Sequence, residues 1–138
     1  MRDAYTNWRT AEDGDLEATE TSSAIKIGPA PVVGHGVAIT VPEQAADADT
    51  LDITFTESAT ESGTYREFAK VRPQVTGAGT LPASARTHSR DFDLRIYNTQ
   101  PWVKAVFTVG GSSPNFGEVS AGLDPSAYRN DLPVGNNL

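Results

Sequence analysis

Residues 101–123, PWVKAVFTVGGSSPNFGEVSAGL, constrain this chain more than any other stretch. Over 102–109 the side chains alternate. Val103, Ala105, Phe107 and Val109 form a wholly apolar face, and Trp102, Lys104, Val106 and Thr108 form a mixed one. A period of two over that length suits a strand that covers a core with one side and meets water with the other. The alternation breaks at Gly110-Gly111-Ser112-Ser113-Pro114-Asn115, where glycines permit positive φ and a proline cannot extend a ladder. It resumes with Val119, Ala121 and Leu123 apolar and Glu118, Ser120 and Gly122 small or polar. The two runs read as a β-hairpin with a long turn.

The same period recurs along the chain. Short strands are expected at 16–21 (LEATET) and 24–27 (AIKI), and at 36–41 with Val37, Ile39 and Val41 on one face. In 50–56, Leu51, Ile53 and Phe55 oppose Thr50, Asp52, Thr54 and Thr56. A less regular run at 65–71 follows. In 91–97, Phe92, Leu94 and Ile96 point inward and Asp93, Arg95 and Tyr97 outward. No ten-residue helical pattern and no long repeat appear, and 12 Gly and 9 Pro fit many turns. Seven or eight short strands at this spacing predict an all-β fold, an antiparallel β-sandwich of jelly-roll type. Its core would combine the apolar faces of 37–41, 51–55, 92–96 and 103–109. At 138 residues the chain is long enough for one two-layer domain. We place that domain at 16–123, between an N-terminal arm at 1–15 and a C-terminal arm at 124–138. Tyr5, Trp8 and Tyr128 give the arms apolar area that packs on the chain's own body or on a neighbouring subunit. With Tyr97 and Trp102 they are the candidate capsid or intersubunit contacts. Residues 73–90 form a loop longer than most connections in compact domains.

Charge and residue types exclude several classes of function. The formal charge is −7: residues 1–61 hold 12 acids against Arg2, Arg9 and Lys26, and the remainder 6 acids against 8 bases. Such a chain repels phosphate backbones, so no nucleic-acid partner is expected; the acidic half is either a solvated surface or faces a basic protein. No window approaches a membrane span, and the N-terminus lacks a secretory h-region. Without cysteine there is no disulfide, thiolate zinc site or thiol catalysis. His35 and His88 belong to no HExxH or HxH pattern. Glu12-Asp13-Gly14-Asp15 with Glu17 lacks EF-hand spacing and reads as a charged turn, as does 45–49. No GxSxG, P-loop or GxGxxG occurs, and no carboxylate pair stands out for glycosidase work. The expectation is a protein that is not an enzyme and needs no cofactor or metal.

The order of pieces carries a resemblance. An aromatic N-terminal segment leads to a Leu-x-Ala-Thr strand and to Ser-Ser-Ala-Ile-Lys-Ile-Gly at 22–28. Then come Thr-Leu-Asp-Ile-Thr-Phe-Thr-Glu-Ser at 50–58, a turn with Gly63-Thr64-Tyr65, and Gly-Glu-Val-Ser-Ala-Gly-Leu at 117–123. Across roughly 16–123 this is similar to the jelly-roll cement or decoration proteins on the outside of tailed-bacteriophage capsids with an HK97-like shell. The resemblance implies a structural virion protein at the capsid exterior, bound to the major capsid protein and assembled as a homo-oligomer, a dimer or trimer. It implies no catalytic residues, membrane or nucleic acid. Two alternatives are a carbohydrate- or receptor-binding sandwich, with Tyr97 and Trp102 stacking on sugars, and a tail or head–tail connector subunit.

Overall fold

The computed structural model describes residues 6–46, 48–72 and 91–124. Two antiparallel sheets stack face to face as a β-sandwich. One has the order β1 (Asn7–Arg9), β9 (Ser120–Leu123), β4 (His35–Thr40), β7 (Asp91–Ile96). The other runs β2 (Glu20–Thr21), β8 (Trp102–Gly110), β5 (Thr50–Ser58), β6 (Arg66–Val71), with β3 (Ile25–Lys26) also on β8. The pairings are nested. β5 pairs with β6, β4 with β7, β2 and β3 with β8, and β1 with β9, as in one long hairpin rolled on itself. The contacts β4–β9 and β5–β8 then close each sheet.

The alternation places the core where the sequence puts it. Val37, Ile39 and Val41 from one sheet face Leu51, Ile53, Phe55, Val103, Ala105 and Phe107 from the other, all buried. Ile96 joins them, and Leu94 and Val109 lie partly buried at the margin. The Phe92 side chain is outside the described residues. Leu16 and Phe116 also reach zero exposure, although neither lies in a strand. They meet because Leu16 N–H donates to the Gly117 carbonyl (2.8 Å) and Phe116 N–H to the Leu16 carbonyl (3.0 Å). Of the expected strand at 16–21, only Glu20–Thr21 therefore pairs in a sheet.

Two expectations are corrected. The runs 102–109 and 119–123 are strands, but not a hairpin: β8 and β9 lie in different sheets. Both present apolar faces to the same core, so the glycine-rich segment between them crosses from one layer to the other. Nor is the described part of 1–15 an arm. β1 pairs with β9, and Trp8 is 5% exposed. Its ring meets Phe55 edge-on at 5.3 Å and its Nε1–H donates to the Val103 carbonyl at 3.0 Å. Arg9 follows it inward, forming a two-pronged ion pair with Glu20 (3.0 and 3.1 Å) and donating to the Val119 carbonyl at 2.8 Å. Trp8 is therefore a core residue rather than a surface contact. Tyr5, Tyr128 and the rest of the C-terminal segment beyond Asp124 lie outside the described residues.

Candidate functional site

Strand direction sorts the connections into two poles. At one, β4 and β8 begin and β5 and β7 end, so segments 27–34, 59–65 and 97–101 gather there. Glu61 is the only charged residue in these three segments. The described chain also enters and leaves at this pole, where Leu123 N–H donates to the Thr6 carbonyl and Asp124 N–H to that of Gly36. Segments 10–19, 41–49 and 111–119 connect strands at the opposite pole. Their described residues include Glu12, Asp13, Asp15, Glu17, Glu43, Asp49 and Glu118 and no lysine or arginine.

The neutral pole presents Val32, 99% exposed, within segment 28–34, and Tyr97, 57% exposed, whose ring lies against Gly34 of the same segment. A valine this exposed on a loose loop would be unremarkable, but this loop is held on both sides of Val32. Gly34 N–H closes a turn onto the Pro31 carbonyl (2.8 Å), and Ala30 N–H donates to the Asn98 carbonyl (2.8 Å). Buried Asn98 donates from Nδ2 to the carbonyls of Gly28 (2.8 Å) and Gln100 (2.7 Å), cross-linking the two segments. Arg95 Nη1 donates to the Val33 carbonyl. The Tyr97 ring lies against Gly34, whose φ is +80°; a Cβ there would come within 2.8 Å of Tyr97 Cε1. Glycine is required both for that conformation and for that approach.

Segment 97–101 is in turn fastened by Glu57. Its carboxylate, with the side chain 1% exposed, accepts from Thr99 N–H (2.7 Å), Gln100 N–H (3.1 Å), the Thr99 hydroxyl (3.2 Å) and Arg66 Nη2 (2.9 Å). Burial alone pushes this carboxyl's pKa up. The Gln100 and Thr99 N–H groups, Arg66 and the Thr99 hydroxyl together outweigh it and hold the pKa below the usual range. His35 Nε2 lies 3.2 Å from the Gly28 carbonyl, which makes it part of the same scaffold. His88 lies outside the described residues.

Trp102 is half-buried and opens β8, opposite Lys26 and Ser58, whereas Tyr97 follows β7 in the other sheet. The two candidates thus belong to different sheets and offer no single stacking platform. Neither Val32 nor Glu57 belongs to a sequence motif. Glu57 had a signal, because it continues the inward phase of Leu51, Ile53 and Phe55. Val32 had a weaker one, a β-branched pair between Pro31 and Gly34 with no strand pattern around it.

At the acidic pole the carboxylates are engaged locally. Asp13 Oδ2 caps Thr10 N–H at 2.9 Å, and Asp49 Oδ2 accepts from Ala46 N–H at 3.1 Å. Asn115 Nδ2 donates to both Asp15 (3.2 Å) and Glu17 (3.1 Å), placing an amide where those two acids approach each other. Among the described residues, no three His, Asp or Glu side chains are grouped to hold a metal ion, and no helix is long and apolar enough to cross a membrane. No protein-family model matches this chain, and no curated protein matches it in sequence.

Proposed function

We propose that this chain is a structural virion protein, a cement or decoration protein that binds the outer surface of a major capsid lattice and stabilises the head. The observation that carries this reading is the rigid apolar tip at Val32 and Tyr97. A large apolar side chain kept in water gains free energy when a partner covers it, roughly 25 cal/mol per Å² of area removed from water. A loop already fixed by Asn98, Glu57 and Gly34 loses little further entropy on docking. One such contact is modest, but many copies on a symmetric lattice multiply it. The acidic pole lies at the other end of the sandwich, where a net negative charge would favour solubility of a decorated shell. The nested strand order, with β2 and β3 read as one interrupted strand, supports a jelly roll. The reading assigns the chain no reaction and no cofactor.

The test is particle survival on heating, with and without the protein. Decorated shells should rupture at a higher temperature and show added surface density. Equal rupture temperatures with no added density would overturn the cementing role.

A further inference from the structure

A β-sandwich has four sheet edges, and in this one three are blunted. β1 spans three residues with a register shift, β2 and β3 span two each, and β6 carries an irregularity opposite Phe55 and Thr56. The fourth edge, β7, differs. It pairs with β4 over six consecutive residues without a bulge, and among the described residues no strand lies on its other side. Long, regular, unprotected edges are templates for pairing with another chain.

The sequence of β7 says which chain. The inner face of a sheet must continue across a shared edge, so an antiparallel partner has to align inward with inward residues. For two copies of DFDLRI, that leaves registers centred on a residue. Centring on Phe92 opposes Asp91 to Asp93 twice, centring on Asp93 opposes it to itself, and centring on Arg95 does the same to the arginine. Centring on Asp93 also sets Asp91 against Arg95, so only centring on Leu94 brings opposite charges together without opposing like ones. Asp93 then faces Arg95 of the second copy on both sides of the two-fold axis, and Leu94 faces Leu94. Asp93 is exposed and Leu94 partly buried at the core margin, as the pairing needs. We propose that β7 is the interface for a second copy of this chain, a two-fold dimer joined by antiparallel β7–β7 pairing centred on Leu94.

This inference is independent of the capsid reading, and it adds a geometric consequence to it. Antiparallel pairing sends the two Val32 tips to opposite ends of the dimer, because each tip sits beside the C-terminal end of its own β7. Each end of such a dimer then carries the neutral pole of one copy and the acidic pole of the other.

The experiment is sedimentation of the full chain over a range of concentrations. The wild type should reach dimer mass. Asp93→Arg, which creates two like-charge oppositions, should weaken the dimer at least about tenfold. Mixing Asp93→Arg with Arg95→Asp should restore association as a heterodimer, since each opposition again joins unlike charges. Because the chain has no cysteine, Leu94→Cys should form a disulfide-linked dimer on oxidation, the two positions lying about 5 Å apart across the axis. A dimer unaffected by Asp93→Arg uses another surface and overturns the proposal. A wild type that stays monomeric, with the amides of 91–96 protected from exchange, overturns it too, by showing that the chain covers this edge itself.

Discussion

The two poles of the sandwich are built on the same strands yet use their polar groups in opposite ways. At the neutral pole, the buried groups Glu57 and Asn98 hold backbone, and the large apolar side chains that face water are a valine and a tyrosine. At the acidic pole, Asp13, Asp15 and Glu17 are themselves the surface, and their partners are a nearby backbone N–H or the Asn115 amide. The first arrangement spends its hydrogen bonds on fixing a shape. The second spends them on tolerating charge. A surface meant to dock gains from a fixed apolar shape, since docking then costs less ordering. A surface meant to stay in water gains from charge.

The largest expected effect concerns the core that both poles share. Trp8→Ala should destabilise the fold by about 3–5 kcal/mol, read by denaturant unfolding. A loss under about 1 kcal/mol would mean that the N-terminal strand is not part of the body. Next comes the latch that separates the poles. Glu57→Ala leaves the N–H groups of Thr99 and Gln100 without their acceptor and should cost about 1–3 kcal/mol. Amide exchange should then accelerate in 28–34 and 97–101 but not in 10–19; uniform acceleration would erase the distinction between the poles.

Acid should act on the same latch. The folded pKa of Glu57 is depressed, so its stabilisation is complete above the unfolded value of 4.5 and is lost as pH falls through the lower folded value. Unfolding scans below pH 4.5 should show a loss that Glu57→Gln, already unable to ionise, does not share. Smaller again is the tip: Val32→Ser should change stability by no more than about 0.5 kcal/mol, because the side chain packs on nothing. The smallest effect belongs to the acidic pole. A chelator should leave the melting temperature unchanged, and a drop beyond about 5 °C would reveal an ion among Asp13, Asp15 and Glu17.

The body was legible in the sequence because burial imposes a period of two: 37–41, 51–55 and 103–109 declare their inward faces residue by residue. Pairing was not. Alternation says which face of β8 and β9 is apolar, but two strands facing one core from opposite layers carry the same pattern as two neighbours in one sheet. The hairpin reading failed on that ambiguity. Trp8 misled for a related reason, since three residues are too few to show a period, and polar neighbours hid a core aromatic. As for the pole, Tyr97 was legible as an outward residue, whereas Val32 gains its meaning only from the hydrogen bonds of residues distant in sequence, which no local pattern encodes.

On the proposed function, the neutral pole docks and the acidic pole does not. The most direct measurement is co-sedimentation of the protein with undecorated capsid shells, comparing Val32→Asp with the double substitution Asp15→Asn and Glu17→Gln. The account predicts that Val32→Asp abolishes attachment while remaining folded, and that the acidic-pole variant binds as the wild type does at physiological salt. Full attachment by Val32→Asp, with loss in the acidic-pole variant, would contradict it.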